Sequence, residues 1–218
     1  MHKSSKPKSN QSLSKWIIVF LVVFFGVGVI GLAYDATRDF FIHLIPYSLL
    51  LGVILMFWVH QYWTLKQIIV FAIIAVLGFS IEVVGVLTGD VFGNYTYGGA
   101  LGVLFWGTPP MIGLNWLMLI YCVFVIMKQT AWPQWLQVLL GAFLMVVYDI
   151  IMEPVAIQLD MWSWGGNVIP LQNYIAWFVI SLVFLAIFSL SKLNFTNRVA
   201  PALFFIQMGF FLLLNIFI

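Results

Sequence analysis

Residues 135–152 read WLQVLLGAFLMVVYDIIM. A nearly unbroken apolar run of this length can cross the hydrocarbon core of a bilayer as an α-helix. Strands of a membrane β-barrel would be about half as long and would alternate apolar and polar residues, which this stretch does not. Because backbone groups in hydrocarbon must be satisfied within their own segment, the run predicts a transmembrane helix.

Six more apolar runs flank this one, and charged or turn-forming residues separate them. The seven predicted spans cover about 16–33, 41–59, 66–87, 109–127, 135–152, 171–190 and 199–217. Of the 218 residues, 64% are hydrophobic and 7% charged, whereas soluble domains are about 45–50% apolar and about 25% charged. This composition excludes a soluble enzyme, a disordered chain and a nucleic-acid-binding protein.

We therefore predict an all-α, polytopic integral membrane protein with about seven transmembrane helices. Residues 1–15 are expected to form a disordered basic tail, and residues 16–218 a single transmembrane domain. The basic start followed by an apolar run is typical of a signal peptide, but the run over 16–33 is long enough to span, so we expect it to be the first helix.

The loop charges predict the orientation of these helices. With the N-terminus in the cytoplasm, every basic residue except Arg38 lies on the cytoplasmic side, as the positive-inside rule requires. All seven acidic residues then lie in outer loops or in the outer halves of helices. The predicted location is the cytoplasmic membrane, with the active site toward the outer face.

Two outer segments share one residue order, which suggests an internal repeat. Each has a carboxylate, an acidic residue, an aromatic-hydroxyl-aromatic-Gly-Gly motif, a proline, an asparagine and a tryptophan. The motif is YTYGG at residues 95–99 and WSWGG at residues 162–166. The predicted helices 3–4 and 5–6 would then form a parallel repeat about an axis along the membrane normal, with Glu82 and Glu153 facing each other across it.

Three carboxylates within the spans are the candidate catalytic residues, because ionisable residues inside a membrane are costly and usually functional. Glu82 lies about one turn below the outer interface. Asp149 and Glu153 are four residues apart, so they lie on one helical face about 6 Å apart along the axis. Their mutual repulsion favours sharing of one proton. Pairing with Arg38, hydrogen bonding to tyrosine and asparagine side chains, or a position at the interface is the alternative explanation.

Aromatic and amide residues near the outer face are the candidate substrate-binding residues. Aromatic belts are normal at membrane interfaces, but the paired aromatic motifs exceed that background, and aromatic faces stabilise cations. Asn115 and Asn173 could either tie helices together or orient water. The predicted substrate-binding set is Tyr95, Tyr97, Trp106, Asn115, Trp162, Trp164, Asn173 and Trp177.

No metal or cofactor is predicted. The three histidines are scattered, and only His43 could approach the carboxylates. A single cysteine, Cys122, excludes an intramolecular disulfide and any cysteine-rich metal site. The sequence has no Asp-Asp-x-x-Asp motif, which disfavours a prenyltransferase, and it has no glycine-rich phosphate loop. The seventh span has no lysine, which rules out a retinal Schiff base.

These motifs resemble the carotenoid 1,2-hydratase family of the CruF type. The similarity covers roughly residues 66–190, and the other spans match only as hydrophobic segments. It is carried by residues 82–89, 92–97, 109–116, 149–155, 162–164 and 169–177.

The resemblance implies a cofactor-free addition of water to the terminal C1=C2 double bond of an acyclic carotenoid. Lycopene, γ-carotene or a C50 precursor would be the substrate. The candidate residues suit this reaction, which needs a desolvated carboxylic acid, a stabiliser of the tertiary cation and a water held by a base. Asp149 or Glu82 would be the acid, and Glu153 would share its proton or orient the water.

Two other classes of function remain open at this stage. A lycopene-cyclase-like enzyme would use the same protonation and quench the cation with an internal double bond. A proton-coupled transporter, or a carotenoid-binding partner subunit, would use the carboxylates as a relay or a pocket. The expected partners are the carotenoid and membrane lipids, with a complex of carotenoid enzymes as an alternative and no nucleic acid.

Overall fold

The computed structural model describes residues 8–218, and eight α-helices follow one another in that range. They are α1 Lys8–Ala33, α2 Asp35–Ile42, α3 Ile45–Trp58, α4 Leu65–Thr88, α5 Met111–Lys128, α6 Gln134–Gln158, α7 Leu171–Leu190 and α8 Val199–Phe217. Two short strands, β1 Tyr95–Tyr97 and β2 Trp162–Trp164, lie in the connections α4–α5 and α6–α7.

The prediction of an all-α polytopic membrane protein is confirmed. Among the described residues, six helices are long and apolar enough to cross a membrane, and a seventh span results if α2 and α3 count as one. Many large apolar side chains on the outside of the bundle are exposed, as a bilayer requires; examples are Val22, Val23, Ile30 and Leu87.

Three helix boundaries differ from the predicted ones. Helix α1 begins at Lys8, so the predicted tail is helical from that residue, and its first seven residues lie outside the described range. The predicted span over 41–59 is broken into α2 and α3, which are bent by 59°. Pro46 stands in the first turn of α3, where its missing N–H group is no loss, so a helix starts there more readily than it continues.

Helix α6 continues through Pro154 to Gln158 rather than ending near residue 152. A proline inside a helix removes one backbone hydrogen bond, and neighbouring helices can satisfy the carbonyl groups that it frees. The carbonyl group that loses its helical donor at Pro154 is that of Ile150, four residues earlier. Asn215 on α8 donates its amide to the neighbouring carbonyl oxygen of Ile151 at 2.7 Å. The continuation keeps Asp149 and Glu153 on one helix.

Helix α5 lies at the centre of the bundle. Its residues Met118, Leu119, Ile120 and Tyr121 are all fully buried, as expected for a helix that is apolar all round. It packs against α3, α4, α6, α7 and α8, whereas α1 lies at the edge against α8 and α2. The other helices are thereby held around one central element.

Small residues allow α4 and α5 to approach each other closely. A Cβ atom on Gly78 would lie 2.7 Å from Cβ of Trp116, and one on Gly113 would overlap the carbonyl oxygen of Ala75. Close backbone approach through glycine is a common packing device in membranes. It brings Trp116 on α5 against the helix that carries Glu82.

Strands β1 and β2 pair antiparallel, which joins the two segments of the suspected repeat. The register places Tyr95 opposite Trp164, Thr96 opposite Ser163, and Tyr97 opposite Trp162. Any antiparallel pair has a local twofold relation between its strands, so the repeat stays a prediction. We call the end of the bundle that carries this pair the sheet end.

Candidate functional site

Glu82 is buried near the sheet end of α4 and accepts three hydrogen bonds. The hydroxyl groups of Tyr95 and Tyr97 donate to Oε2 at 2.6 and 2.7 Å. The indole N–H of Trp116 donates to Oε1 at 2.9 Å. Helix α4 ends just beyond, at Gly89, whose φ of 73° lets the chain turn toward β1.

Glu153 on α6 is held in the same way by the second motif. The indole N–H groups of Trp162 and Trp164 donate to Oε2 at 3.1 and 2.9 Å. The side-chain amide of Asn173 on α7 lies 3.4 Å from Oε1. Each glutamate is therefore hydrogen-bonded by both aromatic residues of the strand that follows it in the chain, and it is contacted by one side chain from the next helix.

The alternation of a β-strand explains this arrangement. Side chains at positions i and i+2 point to the same face of a strand, so the aromatic residues of both strands cover the glutamates. The intervening Thr96 and Ser163 are exposed on the other face, where their hydroxyl oxygens lie 3.2 Å apart. The hydroxyl residue of each motif faces outward, and the aromatic residues form the roof of the site.

Asp149 lies one turn before Glu153 on α6 and is fully buried. Its Oδ2 accepts a hydrogen bond of 2.8 Å from the amide of Asn173. Its Oδ1 is buried without a hydrogen-bond partner. Asn173 thus links Asp149 to Glu153, and we call the group of Glu82, Asp149 and Glu153 the carboxyl cluster.

A small cavity of about 20 Å³ lies between the two glutamates, beneath the aromatic roof. A polar cavity of this size holds one water molecule. Asp149 is not among its lining residues. The cavity is lined by Glu82, Phe92, Tyr95, Tyr97, Ile112, Asn115, Met152, Glu153, Trp162, Trp164, Asn173 and Trp177.

No cation compensates the carboxyl cluster within the described range. Arg38 instead pairs with Asp35 at 2.7 Å and donates to the carbonyl oxygens of Leu32 and Ala33. Burial of an unpaired charge is costly, so the three carboxyl groups cannot all be ionised together. The cluster therefore stores at least one proton.

The two tyrosines of the roof stay neutral hydrogen-bond donors. Burial, together with the negative charge of Glu82, raises the pKa of Tyr95 and of Tyr97 well above the ordinary value for tyrosine. Both therefore hold their protons at physiological pH.

Two sequence-predicted candidates lie apart from the carboxyl cluster. Trp106 is 70% exposed, and its ring lies 6.5 Å from that of Phe79 at the rim of the bundle. His43 is exposed, with Nδ1 2.6 Å from the carbonyl oxygen of Asp39. All the other predicted residues except Asp149 line the small cavity.

Among the residues that the structure describes, Trp116 is the one donor to the carboxyl cluster that the predicted site lacks. It stands in the sequence beside Asn115, within the motif that carries the resemblance, so the signal was present. Its ring also packs on that of Trp177, with centroids 4.4 Å apart. From sequence alone, a tryptophan in an apolar helix is interpreted as a packing residue. Only the hydrogen bond with Glu82 reveals the role of Trp116.

The described residues contain no group of three or more His, Cys, Asp or Glu side chains that could hold a metal ion. The three carboxyl groups are bound by N–H and O–H donors of the protein itself.

The sequence model of the carotenoid biosynthesis protein family matches residues 44–217, which takes in everything from α3 to the end of α8. The chain belongs to this family. The match includes all three members of the carboxyl cluster and both aromatic motifs. No curated protein and no solved structure matches the chain.

Membership of the carotenoid biosynthesis protein family gives the protein a role in carotenoid biosynthesis. The protein belongs to a pathway whose intermediates are long hydrocarbons dissolved in a bilayer. An apolar bundle with one buried set of carboxyl groups suits chemistry on such a compound.

Proposed function

We propose that this protein is a carotenoid 1,2-hydratase, which adds water across the terminal C1=C2 double bond of an acyclic carotenoid such as lycopene or γ-carotene. One observation carries the proposal: Glu82 and Glu153 line a water-sized cavity in a buried region without cations. Hydration needs a carboxylic acid, a carboxylate and one water within a single apolar site.

Glu153 is the better proton donor of the two cavity-lining glutamates. Its Oε2 accepts two indole N–H bonds, and an indole nitrogen can only donate. Its Oε1 has only the 3.4 Å contact with Asn173. A proton therefore fits on Oε1, where it can be delivered to the substrate.

Glu82 is the better holder of the water. Its Oε2 is occupied by two phenol hydroxyl groups, whereas its Oε1 accepts only from Trp116. A carboxylate oxygen has two acceptor positions, so Oε1 can accept one more hydrogen bond. A water in the small cavity provides it.

The reaction then proceeds in two balanced steps. The π electrons of the double bond take the proton of Glu153 to form the C2–H bond, which leaves a tertiary cation at C1. A lone pair of the water oxygen forms the C1–O bond, and Glu82 accepts the released proton. The next water to fill the cavity passes that proton from Glu82 to Glu153.

The aromatic roof stabilises the cation between these two steps. Trp162, Trp164 and Trp177 line the cavity together with Tyr95. The π face of an aromatic ring attracts a cation, most strongly where water is excluded. Rings on several sides of one small space suit a charge that exists only briefly there.

Asp149 acts through Glu153 rather than on the substrate. It lies outside the small cavity and shares the amide of Asn173 with Glu153. A negative charge on either carboxyl group disfavours a second one nearby, so the two groups share protons. The proton that this pair holds reaches the substrate through Glu153, the member that lines the small cavity.

Expression in a host that accumulates lycopene tests this proposal. We expect a more polar carotenoid whose mass is increased by one water, and none from a Glu153→Gln variant. A new carotenoid of unchanged mass would overturn the proposal in favour of cyclisation. Unchanged lycopene beside properly inserted protein would favour a carotenoid-binding or transport role.

A further inference from the structure

A much larger cavity, of about 270 Å³, lies beside the carboxyl cluster in the same half of the bundle. Residues of α1, α3, α5, α6 and α8 line it, and nearly all of them are apolar. Pockets that bind organic ligands are apolar, contain few polar groups and are of about this size or larger. We call it the lateral cavity.

The lateral cavity opens sideways between α1 and the α2–α3 junction. Val27 and Leu44 line it and are nevertheless 51% and 38% exposed, so they mark its mouth. Val27 lies six residues before the end of α1, about 9 Å along the helix axis. The mouth therefore lies below the end of a membrane-spanning helix, where a bilayer would meet it.

The bend between α2 and α3 creates this opening. The two helices meet at 59°, and α1 packs on α2 and α8. Leu44 lies in the break, next to Ile45 at the start of α3. An unbroken helix would have no such corner facing α1.

The lateral cavity adjoins the proposed reaction site. Ile112, Asn115, Met152 and Trp162 line both this cavity and the small one between the glutamates. The side chain of Trp162 also donates to Glu153. The end of an apolar chain in the lateral cavity would therefore lie against side chains that also border the small cavity.

One polar side chain in the lateral cavity is unsatisfied. Gln207 on α8 is 2% exposed and lines the cavity, and its Oε1 has no hydrogen-bond partner. A buried amide without a partner costs free energy. Rotation of the side-chain amide exchanges the positions of its oxygen and its NH2 group. The amide of Gln207 can therefore turn an N–H group toward the conjugated electrons of a polyene.

We propose that the lateral cavity binds the terminal segment of a linear carotenoid, which enters from the bilayer between α1 and the α2–α3 junction. The identity of the reacting end rests on the proposed function, and the binding itself does not. The straight polyene passes through the mouth of the lateral cavity, and its last double bond reaches Glu153. The amide of Gln207 lies against the conjugated chain.

Two glycines of α1 provide a matched test. Gly28 lines the cavity, where a Cβ atom would lie 3.2 Å from the ring of Phe210, whereas a Cβ atom on Gly26 would meet nothing within 4 Å. Gly28→Leu should fill the cavity, and Gly26→Leu should only extend the outer face. Leu49→Trp fills the cavity from the opposite wall, on α3.

The measurement is binding of lycopene by each purified, monodisperse protein in detergent, followed by visible absorption in the same preparation. Gly28→Leu and Leu49→Trp should weaken binding by about tenfold or more because of overpacking, and Gly26→Leu should bind as the unaltered protein does. Gln207→Leu should shift the absorption maximum of the bound pigment.

Unchanged binding in both filled variants, or an unchanged absorption maximum in Gln207→Leu, would overturn this assignment. Glu82→Gln separates the binding from the reaction, since it should bind lycopene normally without hydrating it. If the unaltered protein binds lycopene in the cavity but never hydrates it, the proposed function fails while the binding site stands.

Discussion

At the scale of single residues, the two glutamates owe their chemistry to the number and kind of their donors. Glu82 accepts from two phenols and one indole, and Glu153 from two indoles and, at longer range, one amide. The difference leaves a free acceptor position on Glu82 and an unfilled oxygen on Glu153. In the proposed mechanism, this difference assigns the acid to Glu153 and the base to Glu82.

The first prediction concerns the carboxyl cluster itself. Glu153→Gln and Glu82→Gln should each lower the hydration rate at saturating lycopene by about 100-fold or more, since each removes a group that transfers a proton. Asp149→Asn should have a smaller effect, because Asp149 acts through Glu153.

Asp90→Asn is the control for these variants. Asp90 is an exposed carboxylate at the same end of the bundle, outside the carboxyl cluster. The hydration rate of Asp90→Asn should match that of the unaltered protein. Full activity in Glu153→Gln would rule out the assigned acid, whatever the other variants do.

The second prediction concerns His60, at the opposite end of the bundle. Its Nδ1 lies 2.7 Å from the hydroxyl oxygen of Tyr121, which also accepts from Asn197. Burial lowers the pKa of His60 from its ordinary value of 6.5, against the opposing hydrogen bond with Gln67. The unfolded chain therefore takes up a proton at a higher pH than the folded protein does.

Stability should consequently be full above pH 6.5 and fall as the pH drops from there through the lowered pKa of the folded state. Thermal unfolding in detergent between pH 5 and 8 measures this loss. A His60→Gln variant should show a flatter profile over the same range. Equal slopes in both proteins would contradict this account of His60.

At the scale of elements, the pairing of β1 with β2 places both aromatic motifs over the glutamates. Gly98 follows β1 directly and donates its N–H to the carbonyl oxygen of Met161. A Cβ atom at this position would overlap the carbonyl oxygen of Asp160. The backbone approach that closes the roof therefore depends on a glycine.

The third prediction compares two adjacent glycines. Gly98→Ala should separate the strands and lower both thermal stability and hydration activity. Gly99→Ala should be tolerated, since its Cβ atom would lie 3.8 Å from Oδ2 of Asp160, at ordinary contact distance. Equal melting temperatures and activities for the two variants would show that the close approach at Gly98 does not support the site.

Much of this arrangement was predictable from the sequence because membrane constraints are strong. The apolar runs predict the spans, and the paired motifs predict which residues meet near Glu82 and Glu153. The strand pairing was not predictable, because three-residue strands leave no periodic signal. The break at Pro46 and the continuation of α6 through Pro154 were not predicted either. Whether a helix continues through a proline depends on its packing partners, such as Asn215 beside α6, and no local pattern reveals these.

At the scale of the whole molecule, the orientation in the membrane is the remaining sequence prediction. The positive-inside rule places the sheet end on the outer face. Thr96 is exposed at that end, and Lys192 lies in the connection between α7 and α8 at the other end. The only native cysteine, Cys122, is buried, so it should not react in the folded protein.

The fourth prediction concerns this orientation and uses the low reactivity expected of the buried Cys122. In intact cells, a membrane-impermeant thiol reagent should label Thr96→Cys and should fail to label Lys192→Cys. After the membrane is permeabilised, both variants should react. The reverse pattern in intact cells would place the carboxyl cluster on the cytoplasmic face.

The large and small cavities together define how the whole molecule would work. In the two proposals, hydrocarbon enters sideways below the end of α1, and one water molecule occupies the small cavity beneath the aromatic roof. The two reactants meet where Asn115 and Trp162 line both spaces. On this account, the bundle would keep the carotenoid and the water apart until both reach the carboxyl cluster.

The most direct test of the central claim is the fate of water oxygen. Purified protein is incubated with lycopene in ¹⁸O-labelled water, and the carotenoid products are analysed by mass spectrometry. We predict a tertiary alcohol that carries one ¹⁸O atom when Glu153 is present and is not formed by Glu153→Gln. Products that carry no label, or lycopene recovered unchanged from active-site-intact protein, would contradict the account.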